Sequence, residues 1–297
     1  MSGLIKRVIE FIVFRNIFIA IATACLVAET RFLSGKAWCT IDALIAFTFF
    51  STFLVYNFHS FSNDPEHEFS VPQLFKDFVN PAISLEQRVC VGVGIIGTGV
   101  AFLFLQLKVM LFLLPVGLIT LAYSLPVFKL QNRLHSLRDI IYVKIFTVAV
   151  VWAVATTLLS YINDGKNISI GHLFLLFSER LLFIYAITIT FEIRDRHSEA
   201  AIGNRTIPTV YGVAKSKMLG YVVLVAYCIL VLIREYFYES SFREVEKQAL
   251  ALFFSAFSAA LLIAKTIDAR GRWFYKFLID GTMIEQFLLL ILVQNLC

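Results

Sequence analysis

The sequence predicts an all-α polytopic membrane protein, built as one bundle of nine membrane helices. Hydrophobic residues make up 59% of the 297 residues, charged residues only 16%, and the mean hydropathy is +0.80. Soluble domains contain about 45–50% apolar and about 25% charged residues. One water-soluble core cannot bury so apolar a chain, which excludes an ordinary soluble enzyme, a disordered protein, a disulfide scaffold and a nucleic-acid-binding protein.

Besides its composition and its mean hydropathy, the chain contains a series of nine apolar segments. Each is close to the length of about 20 residues that a helix needs to cross a bilayer. In order they are residues 8–27, 41–59, 87–105, 109–125, 137–161, 171–193, 218–236, 249–266 and 283–296. No alternating strand pattern competes with them and no linker divides the chain, so we expect residues 1–297 to form a single domain.

Local signals support individual helix starts and connections. Ser84 and Gln87 have the spacing of a capping box before the third segment, and Ser136 and Asp139 have a similar spacing before the fifth. The third and fourth segments are joined by only three residues, 106–108, which predicts a tight helical hairpin.

The charges predict an orientation. Most of the 26 Lys and Arg residues fall in alternate loops, on the side that also holds the N-terminus. Cytoplasmic loops are enriched in Lys and Arg, so we expect a cytoplasmic N-terminus and location in the plasma membrane of a bacterium. The five cysteines are scattered without a CxxC pair, which favours packing over metal binding.

An acidic cluster ends the sixth segment. Glu192, Asp195 and Glu199 are spaced by three and four residues, so their carboxylates share one helical face and repel each other. A divalent metal with oxygen ligands would relieve this repulsion, and Mg²⁺ is favoured where phosphates complete its shell. The alternative is a solvated helix end in which Arg194 and Arg196 pair with the carboxylates.

The stretch DRHSEAAIGNRTIPTVYG, from Asp195 to Gly212, resembles the second acidic motif of the UbiA superfamily of intramembrane prenyltransferases. In that motif D-x-x-x-D is followed by G, T-x-P and G at the same offsets. Asp195 matches the first acidic position, and Glu199 matches the second with one extra methylene. Glu192 matches an acidic residue that often precedes the motif. The superfamily also has nine helices and a basic stretch after the fourth, similar to the one that contains Lys129.

The first acidic motif of that superfamily, N-D-x-x-D, is degraded here. If Asn57 is the motif asparagine, Phe58 and Phe61 stand at the two aspartate positions. A start at residue 63 would use Asp64 and place His67 at the second position. We favour Asn57, because it keeps the end of the second helix aligned, although the other register gives a more typical distance to the third helix. Either register leaves one metal site short of ligands.

The resemblance implies a central cavity that opens to the inside face and a Mg²⁺-dependent reaction. In that reaction the prenyl group of an isoprenoid diphosphate is transferred to a lipophilic acceptor, with membrane lipid as the surrounding partner and no nucleic acid. The expected metal ligands are Asp195, Glu199, Glu192, Asn57 and Asp64. The expected diphosphate-binding residues are Lys129, Arg133, Arg138 and Arg194, and the expected catalytic residues are Asp195, Glu199 and Lys144.

Lys144 is the basic residue that loop charge explains least, because it stands inside the apolar run IIYVKIFTVAVVW. A charge within a membrane helix usually faces the bundle interior and is functional. Arg15 and Arg180 also lie within predicted membrane helices, so they are further candidates for interior functional charges.

Three other functions remain open at this point. The degraded first motif would fit a relative that binds isoprenoids or lipids without transferring them. A terpene cyclase of the same superfamily would use the same cation chemistry. A transporter would show paired helix interruptions in duplicated halves, and the sequence shows none.

Overall fold

The computed structural model describes residues 3–36, 39–59, 84–124, 128–130, 133–135, 143–165, 168–201, 203–238, 242–268 and 270–295. These residues form helices, apart from one short hairpin. The helices are α1 (Gly3–Phe14), α2 (Ile17–Leu33), α3 (Ala43–His59), α4 (Leu85–Leu103), α5 (Leu107–Ser124), α6 (Val143–Ala153), α7 (Leu159–Asp164), α8 (Ile170–Ala201), α9 (Ile207–Tyr238), α10 (Phe242–Lys265) and α11 (Asp280–Asn295). The hairpin pairs β1 (Phe128–Leu130) with β2 (Arg133–His135).

Each of the nine predicted segments overlaps a helix, and the chain is a polytopic helical membrane protein. By length and composition six helical stretches of the described chain can cross a membrane, and a seventh span is possible if the bent pair α1 and α2 acts as one. α3 and the first part of α5 are apolar but shorter. The predicted fold class is confirmed, and the count of nine spans stays a prediction.

Several helix boundaries differ clearly from the predicted ones. α9 begins at Ile207 instead of residue 218, and α10 begins at Phe242 instead of residue 249. The first segment is broken at Asn16, which adopts a left-handed backbone conformation with φ 60°, and the two halves are bent by 68°. α8 continues through its charged end to Ala201 instead of stopping at residue 193. Charged residues such as Glu and Arg are good helix formers, so a helix need not end where its hydrophobicity ends.

The hairpin was not predicted. Its strands pair antiparallel, with Lys129 opposite Leu134. Three-residue strands are too short to display the alternation of apolar and polar residues by which strands are predicted from sequence. The hairpin lies in the basic stretch that follows α5.

α2, α8, α9, α10 and α11 enclose the main hydrophobic core. Its fully buried side chains include Leu26, Phe183, Tyr227, Leu252 and Ile263. α8 packs along α9 and also against α6, while α11 packs against α2 and α10. α8 is therefore surrounded by other helices, and its acidic end is held in a fixed position.

Small residues allow α3 and α4 to approach closely. A Cβ atom added at Gly94 would lie 3.0 Å from Leu54 Cα, and one added at Gly97 would overlap the ring of Phe50. Membrane helices commonly use small residues in this way, because lipid gives no hydrophobic drive for helix association and close packing must supply the attraction.

Two π-helical segments interrupt the α-helical pattern. Val154–Leu158 joins α6 to α7, and Phe274–Ile279 precedes α11. Such segments occur frequently at functional sites. The second carries Tyr275 and Lys276, which both contact residues of the candidate site.

The helices also contain a buried ion-pair cluster formed by Glu29, Glu179, Arg180, Arg234 and Glu235. Arg180 Nη2 lies 2.9 Å from Glu29 Oε1, and Arg234 lies 2.9 Å from both Glu179 and Glu235. All five residues are at most 5% exposed. Glu179 and Arg180 precede the acidic motif by about three turns or more of α8, roughly 18 Å. Arg180 therefore belongs to this cluster and not to the candidate site.

Candidate active site

The turn between α8 and α9 positions the acidic motif. Gly203 lies in this turn with φ +79°, and Gly212 lies inside α9, where its non-helical backbone (φ 82°, ψ 165°) kinks the helix; L side chains rarely adopt a positive φ. Thr206 and Pro208 lie at the start of α9, where a proline is tolerated because the first backbone N–H groups of a helix have no intrahelical partner. The glycine, threonine and proline positions of the sequence motif therefore have a structural cause.

Lys144 lies between two carboxylates of this motif. It is the second residue of α6, and its Nζ donates to Glu199 Oε1 at 2.6 Å and lies 3.3 Å from Glu192 Oε1. Glu192 and Glu199 are buried. Lys144, Glu192 and Glu199 are called the lysine–carboxylate cluster below. Lys144 was singled out from the sequence as a charge inside an apolar run, and the structure pairs it with these two glutamates.

Asn204 holds the second oxygen of Glu199. Its Nδ2 donates to Glu199 Oε2 at 2.9 Å, and its backbone N–H donates to the Glu199 carbonyl at 2.9 Å. The sequence analysis missed Asn204, although its place between Gly203 and Thr206 of the motif was a signal. Both oxygens of Glu199 thus accept hydrogen bonds.

Asp195 pairs with its neighbour Arg194. The guanidinium donates to both carboxylate oxygens, from Nε at 2.6 Å and from Nη2 at 2.8 Å. Both side chains are about a third exposed. The guanidinium carbon also lies 5.1 Å from the ring centroids of Phe191 and Tyr275, a cation–π arrangement that orients it. For Asp195 the structure has the arginine partner that the sequence analysis gave as the alternative to a metal.

Arg196 and His197 contact Asp268, in the segment that follows α10. Arg196 Nη2 donates to Asp268 Oδ2 at 2.6 Å, and His197 Nε2 lies 2.9 Å from the same oxygen. Asp268 follows α10, so this group links the charged end of α8 to the C-terminal end of α10.

Asn57 belongs to a polar network of helix ends. Its Oδ1 accepts from Asn16 Nδ2 at 3.3 Å, and its Nδ2 donates to the carbonyls of Phe53 and Arg15 at 2.8 and 3.1 Å. Lys276 Nζ donates to Asn16 Oδ1 at 2.8 Å. The sequence analysis missed Asn16, a polar residue inside the first predicted segment, and Lys276, which precedes the ninth.

This network lies beside Arg194. Tyr275, whose ring stacks on the Arg194 guanidinium, is adjacent in sequence to Lys276, and Asp280 interacts electrostatically with both Lys276 and Arg194. The structure therefore brings Asn57 and Arg194 into neighbouring positions at one end of the bundle, the acidic-motif end.

The side chains of several predicted site residues lie outside the described part of the chain. Lys129 lies on β1 and Arg133 on β2, and the structure describes only their backbone. Arg138 and Asp64 lie outside the described residues, as does Phe61. Arg15 forms an ion pair with Glu86 at the start of α4.

The described residues do not fit a metal site as they stand. No group of three His, Cys, Asp or Glu side chains in this part of the chain is placed to hold a metal ion. The oxygens of Asp195 and Glu199 already accept from Arg194, Lys144 and Asn204. Mg²⁺ requires near-octahedral oxygen ligands at about 2.0–2.1 Å, so these donors would have to move away first.

The opposite end of the bundle has its own charged pocket. Arg31 pairs with Asp164 at 2.9 Å and with Asp42 at 2.5 Å, and Lys36 Nζ donates to the Asp164 carbonyl at 2.8 Å. Burial lowers the pKa of Lys36, mainly through loss of water around its ammonium. Residues 143–164 connect the two ends over about 30 Å, so this pocket is remote from the lysine–carboxylate cluster.

Comparison with known proteins identifies the fold. No family model matches the sequence, and no curated protein matches it. The structure is similar to the apo structure of a UbiA homolog from Aeropyrum pernix K1, with a TM-score of 0.56 and 16% identity over 93% of this chain and 95% of that one. The chain has the UbiA fold.

Two further solved structures carry ligands. A UbiA homolog from Archaeoglobus fulgidus bound to GPP and Mg²⁺ is similar with a TM-score of 0.56 and 12% identity, over 98% of each chain. The same homolog bound to DMAPP and Mg²⁺ has a TM-score of 0.52 and 13% identity, over 96% of this chain and 97% of that one. At these identities the structural similarity establishes only the UbiA fold. The ligands of this chain have to be argued from its own residues.

Proposed function

We propose that the chain is an intramembrane prenyltransferase of the UbiA superfamily, which transfers a prenyl group from an isoprenoid diphosphate to a lipophilic acceptor. The observation that carries this proposal is the lysine–carboxylate cluster with its neighbour Arg194, at the acidic-motif end of a UbiA fold. A UbiA homolog with this fold is bound to GPP and Mg²⁺, which supports a diphosphate as the ligand class.

The reaction breaks the bond between the first prenyl carbon and the diphosphate oxygen. The diphosphate leaves with the electron pair, the acceptor attacks the allylic cation, and the acceptor then releases a proton. In this proposal Lys144 and Arg194 stabilise the negative charge of the leaving diphosphate, and Lys129, Arg133 and Arg138 bind its outer oxygens. Exclusion of water by the apolar bundle would protect the cation.

The proposed roles of Asp195, Glu199 and Glu192 follow from their partners. Each carboxylate would orient the cation beside it, Arg194 for Asp195 and Lys144 for the two glutamates. Magnesium at these residues, with Asn57 and Asp64, stays a prediction of the resemblance. The step described above uses only side chains of the chain itself.

A labelling experiment tests the proposal. Purified protein would receive radiolabelled prenyl diphosphates of several chain lengths, Mg²⁺ and a lipid extract, and a labelled lipid is expected. Lys144→Ala should lower turnover by about two to three orders of magnitude, the usual loss when one preorganised donor is removed from a transition state. Lys215→Ala, at an exposed lysine of α9, is the matched control.

One observation favours a second candidate, a protein that binds isoprenoid diphosphates without transferring the prenyl group. Asn57 is used for helix packing and Phe58 follows it, so the first acidic motif supplies no carboxylate from α3. Tight binding of a prenyl diphosphate without any labelled product would favour this candidate, whereas neither binding nor product would contradict both.

We also propose the membrane of a bacterial cell as the location, with the N-terminus and the acidic-motif end on the cytoplasmic side. The distribution of Lys and Arg supports this orientation. A diphosphate made in the cytoplasm would then enter the site from its own compartment.

A further inference from the structure

The lysine–carboxylate cluster has the arrangement of a cation shared by two anions. Lys144 Nζ lies within 3.3 Å of an oxygen of both Glu192 and Glu199, and both glutamates are buried. Two buried carboxylates on one face of α8 repel each other and lack water to solvate them. They require a positive charge at this position, and the chain supplies one from α6.

We propose that the Lys144 ammonium takes the place of a divalent metal ion at the second acidic segment, so that the chain binds a diphosphate without requiring a divalent ion there. This inference rests on the proposed function and specifies how its ligand is bound. The positive charge comes from a side chain fixed by the fold and not from an ion that must be recruited.

The hydrogen bonds of the carboxylates support this assignment. Glu199 accepts from Lys144 on one oxygen and from Asn204 on the other, at 2.6 and 2.9 Å. Asp195 accepts from Arg194 on both oxygens. These four bonds occupy all four carboxylate oxygens of Glu199 and Asp195 with protein donors, and a metal ion would have to break at least one charge-assisted bond to bind them.

The first acidic segment gives independent support. The amide of Asn57 is hydrogen-bonded on both its oxygen and its nitrogen, and the next residue is Phe58. Lys276 is linked to Asn57 through Asn16. A lysine thus stands at each of the two segments that the resemblance assigns to metal ions.

An ammonium in place of a metal ion lowers the positive charge of the site. An ammonium carries one positive charge where Mg²⁺ carries two, and with both glutamates ionised the lysine–carboxylate cluster has a net charge of −1, so attraction of a diphosphate to this end depends on the hydrogen-bond donors of Lys144 and on the other cations nearby. Arg194 and Lys276 at the same end supply further positive charge. Binding should therefore depend on salt concentration, because attraction between charges that reach solvent is screened.

Pyrophosphate titration of the purified full-length protein in nanodiscs tests this inference. Wild-type protein should bind inorganic pyrophosphate and farnesyl thiodiphosphate equally well in EDTA and in Mg²⁺. Lys144→Met should weaken binding in EDTA by about tenfold or more, the equivalent of one charge-assisted hydrogen bond, and Mg²⁺ should restore part of it. Lys215→Met should behave like the wild type.

Mn²⁺ electron paramagnetic resonance adds a readout that does not depend on the diphosphate. Bound Mn²⁺ is expected in Lys144→Met, where two carboxylates lose their ammonium, and not in the wild type. Wild-type binding that requires Mg²⁺, or wild-type protein that binds Mn²⁺, would overturn the inference while the proposed function stands. No binding of either probe with or without Mg²⁺ would overturn both. If Lys144→Met fails to fold, the wild-type comparison in EDTA still decides.

Discussion

Replacing Arg234 with methionine removes a guanidinium from the centre of the buried ion-pair cluster. Arg234 is 0% exposed and lies 2.9 Å from carboxylate oxygens of Glu179 and Glu235. Two unit charges at this distance attract by about 6 kcal/mol at an effective dielectric constant of about 20. Part of this attraction offsets the loss of hydration, and breaking one buried pair typically costs about 3–5 kcal/mol.

We therefore expect Arg234→Met to lower the free energy of unfolding by about 3–5 kcal/mol, because the buried carboxylates of Glu179 and Glu235 both lose this cation. The double variant Glu179→Met with Arg234→Met removes one of these two carboxylates together with the cation and should be more stable than the single variant. The measurement is the free energy of SDS-induced unfolding in mixed micelles, followed by circular dichroism.

The exposed pair Lys6 and Glu10 provides the matched control. Its charged atoms are 4.0 Å apart, and 70% of the Lys6 side chain is exposed, so Lys6→Met should change stability by less than about 1 kcal/mol. A single variant at Arg234 that is as stable as the wild type, or a double variant that is less stable than the single one, would refute the reasoning.

Two further predictions concern packing and orientation. Gly97→Val should lower the stability of the protein, because the new side chain overlaps Phe50 where α4 packs on α3. Gly99→Ala meets no neighbour and should be neutral or slightly stabilising. Thermal unfolding in detergent compares the two variants, and equal stability would contradict the described packing. Reporter fusions after Lys36 and after Gly212 should report opposite sides of the membrane, and the same side for both would show that the topology is wrong.

Features that depend on neighbouring residues could be predicted from the sequence. The capping box at Ser84 is present, since Ser84 Oγ accepts from Gln87 N–H and Ser84 N–H donates to Gln87 Oε1, each at 3.3 Å. The acidic motif lies on one helix as expected, because its spacing of three and four residues needs only helical geometry. The UbiA fold was expected from the resemblance of the stretch Asp195 to Gly212 to a family motif.

Features that depend on distant residues could not be predicted. The hydrogen bond from Lys276 to Asn16 joins residues separated by 260 positions, and nothing in the sequence near either residue indicates the other. The same holds for Glu29 and Arg180, whose pairing requires that α2 and α8 already lie side by side. Lys144 could be singled out as an intramembrane charge, but its two glutamate partners appeared only in the structure.

The break at Asn16 shows a different limit. The apolar run 8–27 contains only the polar pair Arg15 and Asn16 at this point and is predicted as one helix, while the left-handed backbone of Asn16 divides it in two. Asparagine tolerates this conformation better than most residues, but it does so in many places where no helix is broken. Tertiary contacts of Asn16 with Asn57 and Lys276 select the break.

The central claim is that an isoprenoid diphosphate occupies the acidic-motif end, next to Lys144. Native mass spectrometry of the wild-type protein and of Lys144→Met, both purified gently from membranes, tests it most directly, with Lys215→Met as the control. The account predicts that an isoprenoid diphosphate or its prenylated product co-purifies with the wild type and with the control, and that the folded Lys144→Met variant has lost it. Equal amounts of an isoprenoid ligand on all three proteins, or none on any of them, would contradict the account.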